Sequence, residues 1–190
     1  DATVAIANDT WHTFLIGGPG KDPQGFFSTS LSPTLPTGFV WKKYIHSIIR
    51  ASGAILAFQQ YDDEMWLDTP VLDETQTAPG TSAVTITLES VPNRVQVRAL
   101  LNIATNNDST NHAVYLSSLD NADVAASLGA APLGSVSEQT NAAATNVHGG
   151  EATVWTSTAR GIRFRQSASG ASDETYIVVR GWIDALRRQQ

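Results

Sequence analysis

Three consecutive carboxylates, Asp62, Asp63 and Glu64, form the densest acidic cluster of the chain, and Tyr61 and Trp66 flank them. Glycoside hydrolysis needs two carboxylates about 5 to 10 Å apart across a sugar, and neighbouring aromatic rings suit such a substrate. Oxygen ligands also suit calcium, although the regular spacing of a calcium loop is missing. Adjacent carboxylates more often form a solvated turn at a strand end, so we expect neither catalysis nor a metal site from this cluster.

Tryptophan is the other residue type that could bind a ligand, because the apolar faces of sugar rings stack on aromatic planes. The chain has 5 tryptophans, a high number for 190 residues. Trp11, Trp41 and Trp182 lie within strand-like patterns, and we expect them in the core. Trp66 and Trp155 lie near predicted strand ends beside polar segments, where a ring can contact a ligand and neighbouring polar groups can bind its hydroxyls.

Residues 61–66 and 146–155 therefore combine aromatic rings with hydrogen-bonding groups. We predict that a ligand contacts these two segments, and burial of one ring face contributes on the order of 1 to 3 kcal/mol. The predicted ligand-binding residues are Tyr61, Asp62, Asp63, Trp66, His148 and Trp155.

Other signatures of catalysis or of cofactor binding are weak in this sequence. Residues 17–21 resemble a phosphate-binding loop only superficially, because the spacing differs and Pro19 has no amide to donate. The 4 histidines show no close ligand spacing, and the absence of cysteine excludes thiolate metal sites and disulfides. No Gly-x-Ser-x-Gly elbow occurs. We therefore predict a non-enzymatic protein with no metal and no cofactor.

The charge balance limits the choice of partner. The net charge is −6, whereas binding to nucleic acid depends on clustered cations, so we expect no nucleic acid partner. No apolar run approaches the about 20 residues that span a bilayer, so we expect no membrane insertion. Only 16% of the residues are charged, and the hydroxyl and amide side chains that must cover the surface are common in β-rich extracellular and virion proteins.

Strands are expected to position these side chains, because apolar and polar residues alternate with period two. The clearest segments are 84–88, 94–99 and 161–166, whereas the apolar run 176–179 predicts a strand covered on both faces. Further candidate strands are 10–16, 26–29, 40–50, 54–60, 65–67 and 113–117. The predicted core includes Ile86, Val95, Val97, Phe164 and Val178.

Turn signals separate these strands. Residues 17–23 and 106–111 predict loops, and Ser52-Gly53 predicts a tight hairpin. Residues 121–146 predict a long loop or a short helix. With no convincing amphipathic helix and no linker, the pattern indicates a single all-β domain over 1–190, an antiparallel β-sandwich of jelly-roll-like type. Because the chain opens at Asp1 without a methionine, we expect a processed or partial product that leaves room for an upstream shaft or anchor.

A series of short motifs occurs in the first third of the chain. The motifs span Thr10–Ile16, Phe27–Ser30, Pro33–Phe39, Trp41–Ile48, Gly53–Gln60 and Asp63–Trp66. In this order, residues 9–66 resemble a widespread group of phage and prophage structural proteins, often C-terminal parts of tail fibres or spikes. In that group a Trp-Tyr-His-Val strand, a Pro-Thr-Leu-Pro-x-Gly-Tyr turn and an Arg-Arg-Ile-Gly-Ser-Ile strand recur. Thr13 replaces the usual histidine, which shifts to His12, and His46 stands where glycine is expected, so we expect a remote branch such as a spike of a phage-like particle or gene transfer agent.

The resemblance implies a virion protein that is made in the host cytoplasm and displayed on the particle surface. It also implies other virion proteins as partners and a homotrimeric assembly, in which we expect some tryptophans at the contacts. It brings no catalytic residues. The leading function is a fibre or spike head that binds a host receptor, and we expect this receptor to be a glycan. The alternatives are a purely architectural decoration or connector protein, and a glycan-cleaving enzyme built on Asp62, Asp63 and Glu64.

Overall fold

The computed structural model describes residues 6–107, 111–138 and 146–186. Within this part of the chain the secondary structure is almost entirely β, since the only helical segment is a 3₁₀ turn at 185–186. No helix of the described residues has the length and apolar character needed to cross a bilayer. The strands are β1 (Asp9–Gly18), β2 (Lys21–Ser28), β3 (Trp41–Ala51), β4 (Ala54–Ile55), β5 (Phe58–Tyr61), β6 (Glu64–Thr77), β7 (Val84–Thr87), β8 (Arg98–Asn107), β9 (His112–Ser117), β10 (Val136–Glu138), β11 (Asn146–Trp155), β12 (Gly161–Gln166) and β13 (Glu174–Ile183).

The strands form three antiparallel sheets. Sheet A has the order β2-β1-β3-β4, sheet B has the order β11-β8-β13-β6-β5, and sheet C has the order β10-β9-β12-β7. Sheets B and C pack into a sandwich, because buried side chains from both belong to one apolar cluster. The predicted all-β, antiparallel fold is confirmed.

The main core is filled by residues that alternate along the strands. Ile86 and Phe164 are buried in β7 and β12, and Val95 and Val97 are buried in the segment that precedes β8, as the period-two patterns predict. The predicted strand 94–99 is wrong for residues 94–97, because β8 begins only at Arg98. Val178 is the exception, because β13 alternates and leaves Val178 only half-buried on the outer face of sheet B. The prediction that 176–179 is covered on both faces is therefore wrong. Period-two alternation within this run places only every second residue in the core.

Sheet A has a smaller core of its own. Phe14, Ile16 and Tyr44 form a second buried cluster, and Leu31 and Leu186 pack against both this cluster and the main core. Sheet A is thus attached to the sandwich through shared apolar contacts.

The tryptophans predicted for the core have three different environments. Trp182 is fully buried, Trp11 is half-buried, and Trp41 is 43% exposed. The core prediction is therefore confirmed for Trp182 and wrong for Trp41, whose ring packs beside Gly17 on sheet A.

Two turn predictions can be compared with the backbone. Ser52 and Gly53 have φ values of 50° and 83°, so the predicted tight hairpin is confirmed with both central residues in the left-handed region. The predicted loop 17–23 is shorter than expected, because β1 and β2 pair up to Gly18 and Lys21. Residues 121–135 form no helix and no strand. The rest of the predicted segment 121–146 includes β10 and residues outside the described range.

Candidate functional site

A groove of about 510 Å³ lies at one end of the sandwich. At this end β8 begins with Arg98, while β11 and β13 end with Trp155 and Ile183 in the same cross-strand row. The loops that leave these strands build the groove, which places it where loops rather than strand interiors supply the contacts. Its lining includes Leu31, Gln96, Asp120, Asn121, Trp155 and Leu186.

Trp155 is the aromatic wall of this groove. Its side chain is 42% exposed, and it also lines a second groove of about 340 Å³. Ser118 and Asn121 border both grooves, so the two grooves adjoin at Trp155. The guanidinium carbon of Arg98 lies 5.9 Å from the centre of a ring of Trp155, within the range of a cation–π contact. The indole therefore offers apolar surface to two adjoining open grooves.

The polar groups beside Trp155 are held in place by hydrogen bonds. Gln96 donates from Nε2 to Oδ2 of Asp120 at 3.0 Å, and the backbone amide of Asp120 donates to Oγ of Ser118 at 3.2 Å. Nη1 of Arg163 donates to the carbonyl oxygens of Ser118 and Asn121 at 3.1 and 2.8 Å. Loop 118–121 is thus fixed by a guanidinium group before any ligand arrives, which lowers the entropy cost of binding.

The arrangement suits a ligand that has both apolar faces and hydroxyl groups. The ring of Trp155 can cover an apolar face, Asp120 can accept hydrogen bonds, and Gln96 and Asn121 can donate or accept them. Leu31 and Leu186 add apolar surface to the lining. This combination of one aromatic plane and a few placed polar groups is typical of small-molecule sites.

Sequence reasoning identified Trp155 but missed its neighbours in the groove. Asp120 and Asn121 lie three and four residues after the end of the predicted strand 113–117, as a turn signal, and Gln96 lies on the polar side of an alternating segment. Nothing local in the sequence places these residues beside Trp155.

The two predicted ligand-binding segments do not come together. Trp155, Arg98, Ile183, Glu64 and Tyr61 are successive partners in one row across sheet B. Four strand spacings of about 4.8 Å separate the ends of this row by about 19 Å. The two segments therefore share one end and one face of the sheet but lie at opposite edges.

The histidine predicted for the second segment is also far from the groove. His148 is exposed on β11, seven residues before Trp155. A strand rises about 3.4 Å per residue, so His148 lies roughly 24 Å from Trp155 along β11.

The carboxylate cluster has three different environments. Asp62 is exposed in the two-residue turn between β5 and β6 with φ at 56°, whereas Asp63 is 3% exposed. Glu64 accepts a hydrogen bond from Nε1 of Trp66 at 2.9 Å, and the guanidinium of Arg180 lies 5.3 Å from the Trp66 ring. Burial of Asp63 and this engagement of Glu64 argue against the two flanking carboxylates that a glycosidase needs.

A second polar cluster, which the sequence did not reveal, is enclosed between sheet A and the end of β13. Nδ1 of His12 lies 2.8 Å from Oγ of Ser47, and Oγ of Ser47 lies 2.7 Å from the hydroxyl oxygen of Tyr44. The Tyr44 hydroxyl donates to Asp184, which also accepts from the backbone amides of Ser47 and Leu186. These residue types can form a nucleophilic site, but all four side chains are at most 1% exposed.

The electrostatics of this cluster fit a structural role. Burial lowers the pKa of His12 to about 4, so its ring is neutral near pH 7, and burial raises the pKa of Asp184. A neutral His12 that donates to Ser47 allows each hydroxyl to donate to the next, with Asp184 as the final acceptor. The cluster thus attaches sheet A to the sandwich through a buried, hydrogen-bonded histidine.

No protein-family model matches the chain, and no curated protein matches it significantly.

Proposed function

We propose that this domain is the head of a fibre or spike on a phage-like particle and that it binds a host-surface glycan in the groove beside Trp155. The observation that carries the proposal is the 42% exposed indole of Trp155 at the junction of two grooves. The resemblance of residues 9–66 to phage tail-fibre proteins supports the virion context, and the largely uncharged surface is consistent with it.

A glycan fits the two grooves better than a compact ligand does. The grooves of about 510 and 340 Å³ are both open and adjoin at one aromatic side chain. A chain of sugars can therefore run past Trp155, with one ring stacked on the indole and its neighbours in the two grooves. Asp120, Gln96 and Asn121 are positioned to read hydroxyl groups beside that stacked ring.

The direct test compares Trp155→Ala with Trp41→Ala. Both side chains are about equally exposed, at 42% and 43%, but Trp41 lies on sheet A, away from the groove. Loss of a ring contact worth about 1 to 3 kcal/mol weakens binding by roughly 5- to 150-fold. We expect this loss on a glycan array and in adsorption to host cells for Trp155→Ala, and unchanged binding for Trp41→Ala.

A third variant, Trp66→Ala, decides between the two predicted binding segments. Trp66→Ala alters the opposite edge of sheet B, where the ring is half-buried under Arg180. Native-like melting with unchanged adsorption in Trp155→Ala would refute the groove. Loss of adsorption in Trp66→Ala alone would assign binding to residues 61–66 instead.

An apolar patch on sheet A supports assembly of the domain, which the fibre head and the architectural alternative share. Ile6, Phe27 and Ile55 are 59%, 57% and 54% exposed around Trp11 and Ile48. We propose further copies of this chain as the cover, in the closed homotrimer that the resemblance implies, because three copies of one apolar patch can meet around a threefold axis without a charge partner. Sedimentation of Phe27→Ser and Ile55→Ser tests this contact: we expect the trimer to dissociate, and a wild-type monomer at high concentration would contradict it.

A further inference from the structure

One arginine of the described residues differs from the other six. The guanidinium groups of six arginines donate hydrogen bonds to carboxylate or carbonyl oxygens; these residues are Arg50, Arg94, Arg160, Arg163, Arg165 and Arg180. Arg98 is exposed, and within residues 6–107, 111–138 and 146–186 its guanidinium has no such acceptor. Its neighbour is the ring of Trp155, beside the groove. A charged donor group is therefore left available at the edge of the proposed glycan site.

A second arginine of sheet B, Arg180, also stacks on a tryptophan, and its guanidinium has a carboxylate partner. The guanidinium of Arg180 lies 5.3 Å from the Trp66 ring and donates to the carboxylate of Glu151 at 2.9 Å. Glu64 and Trp66 lie on the outer face of sheet B, and the row that contains Glu64 also contains Arg98 and Trp155. Two tryptophan–arginine stacks thus lie on one face, and only the Arg180 stack has a carboxylate partner among the described residues.

We propose that the glycan bound beside Trp155 carries a carboxylate and that Arg98 binds this group. The inference rests on the proposed function and specifies its ligand class as a sugar acid, such as a uronic or sialic acid. A planar guanidinium can donate two parallel hydrogen bonds to a carboxylate while its other face remains on an aromatic ring. Because the chain as a whole has a net charge of −6, its overall field does not attract an anion, and a local cation must supply the attraction.

The geometry assigns separate tasks to the two residues. Trp155 stacks on the apolar face of the sugar irrespective of its charge, whereas Arg98 discriminates between an acidic sugar and its neutral counterpart. Removal of the ring should therefore weaken both classes of ligand. Removal of the guanidinium should weaken the acidic class alone.

The experiment uses pairs of glycans that differ by one carboxylate. Suitable pairs are oligogalacturonate and its methyl ester, 3′-sialyllactose and lactose, and glucuronides and glucosides, immobilised beside sulfated and phosphorylated sugars. We expect the wild-type protein to prefer the acidic member of at least one pair by ten-fold or more. Arg98→Gln should abolish this preference, and Arg98→Lys should retain only part of it because the two-pronged geometry is lost.

Arg50→Gln is the control matched in net charge, because it removes a guanidinium on sheet A that lines neither of the two grooves. Its preference for acidic sugars should equal that of the wild type. Strongest binding to neutral sugars, or a preference unchanged in Arg98→Gln, would overturn the role of Arg98 and leave the glycan function standing. A preference for sulfated or phosphorylated sugars would refute the assignment of a carboxylate as the group that Arg98 binds. Binding to no sugar at all would refute the proposed function and this inference together.

Discussion

His12→Gln should remove a pH-dependent part of the folding stability. The ring of His12 is fully buried, its Nδ1 lies 2.8 Å from Oγ of Ser47, and its Nε2 has no hydrogen-bond partner among the described residues. Protonation would bury a positive charge and add an N–H donor without an acceptor. This is why the pKa of His12 is lowered, from 6.5 to about 4.

The linkage between protonation and folding gives the direction and the size of the pH effect on stability. The unfolded chain takes up a proton near pH 6.5, whereas the native state resists protonation of His12 until about pH 4. Between these values the unfolded state binds more protons, so stability is complete above pH 6.5 and is lost as the pH falls. A difference of about 2.5 pKa units corresponds to roughly 3 kcal/mol at most, of which about half disappears between pH 6.5 and pH 5.

The neighbouring charges have smaller or opposite effects. Arg94 lowers and Asp9 raises the pKa of His12, and the pair Asp9–Arg94 lies at the surface, where it contributes little. Asp184 has a raised pKa because of burial. The Asp184 carboxyl therefore takes up a proton more readily in the native state than in the unfolded chain. This uptake opposes the loss of stability at low pH. A comparison with His12→Gln cancels these shared terms.

The assay is urea unfolding followed by tryptophan fluorescence at half-unit steps from pH 8 to pH 4.5. The free energy of unfolding of the wild type should fall below pH 6.5 more steeply than that of His12→Gln, and His148→Gln should keep the wild-type slope because His148 is exposed. A flat or reversed difference between wild type and His12→Gln would refute the reasoning. An NMR titration of the His12 ring measures its pKa directly, and a value near 6.5 would do the same even if the variant failed to fold.

Two further predictions concern the backbone and the loop of the groove. Gly181→Ala should lower the free energy of unfolding, measured with urea, by more than about 2 kcal/mol, because a Cβ there would lie 2.0 Å from the carbonyl oxygen of Met65. Gly149→Ala on the same sheet is the control: its Cβ would meet only a contact at 3.6 Å, and the free energy of unfolding should change by less than about 1 kcal/mol. Arg163→Met should speed amide hydrogen exchange in loop 118–121 and weaken glycan binding several-fold, because the carbonyl oxygens of Ser118, Leu119 and Asn121 lose the guanidinium that donates to them. Unchanged exchange would contradict the positioning role of Arg163.

Some strands with local alternation could be predicted from the sequence, whereas the equally regular segment 94–99 is a strand only from Arg98 onward. Residues 161–166 alternate without a fault and coincide with β12, and Ser52-Gly53 forms the expected hairpin because its backbone requirement is local. β11 was missed because its segment His148-Gly149-Gly150 has low strand propensity. Pairing with β8 over ten residues compensates for that weakness.

Burial of single residues depends on contacts that the sequence does not reveal. Trp41 and Trp182 both lie in strand-like patterns, yet Trp182 is in a central strand of sheet B and Trp41 is at an end of β3 in the small sheet A. The sequence pattern is the same for both, because period two identifies a strand but not how many layers cover it. The same limit explains why Val178 is only half-buried.

The groove could not be predicted because its residues come from segments far apart in the chain. The pairing of arginines with tryptophans could not be predicted either, because the sequence alone allows either arginine to stack on either tryptophan. The register of β8 with β11 places Arg98 opposite Trp155, while the irregular register of β13 around residue 180 brings Arg180 to Trp66 and Glu151. A shift of one residue would move each side chain to the other face of the sheet. The availability of Arg98 is therefore a consequence of strand register, and the preference for an acidic sugar tests that register as well as the site.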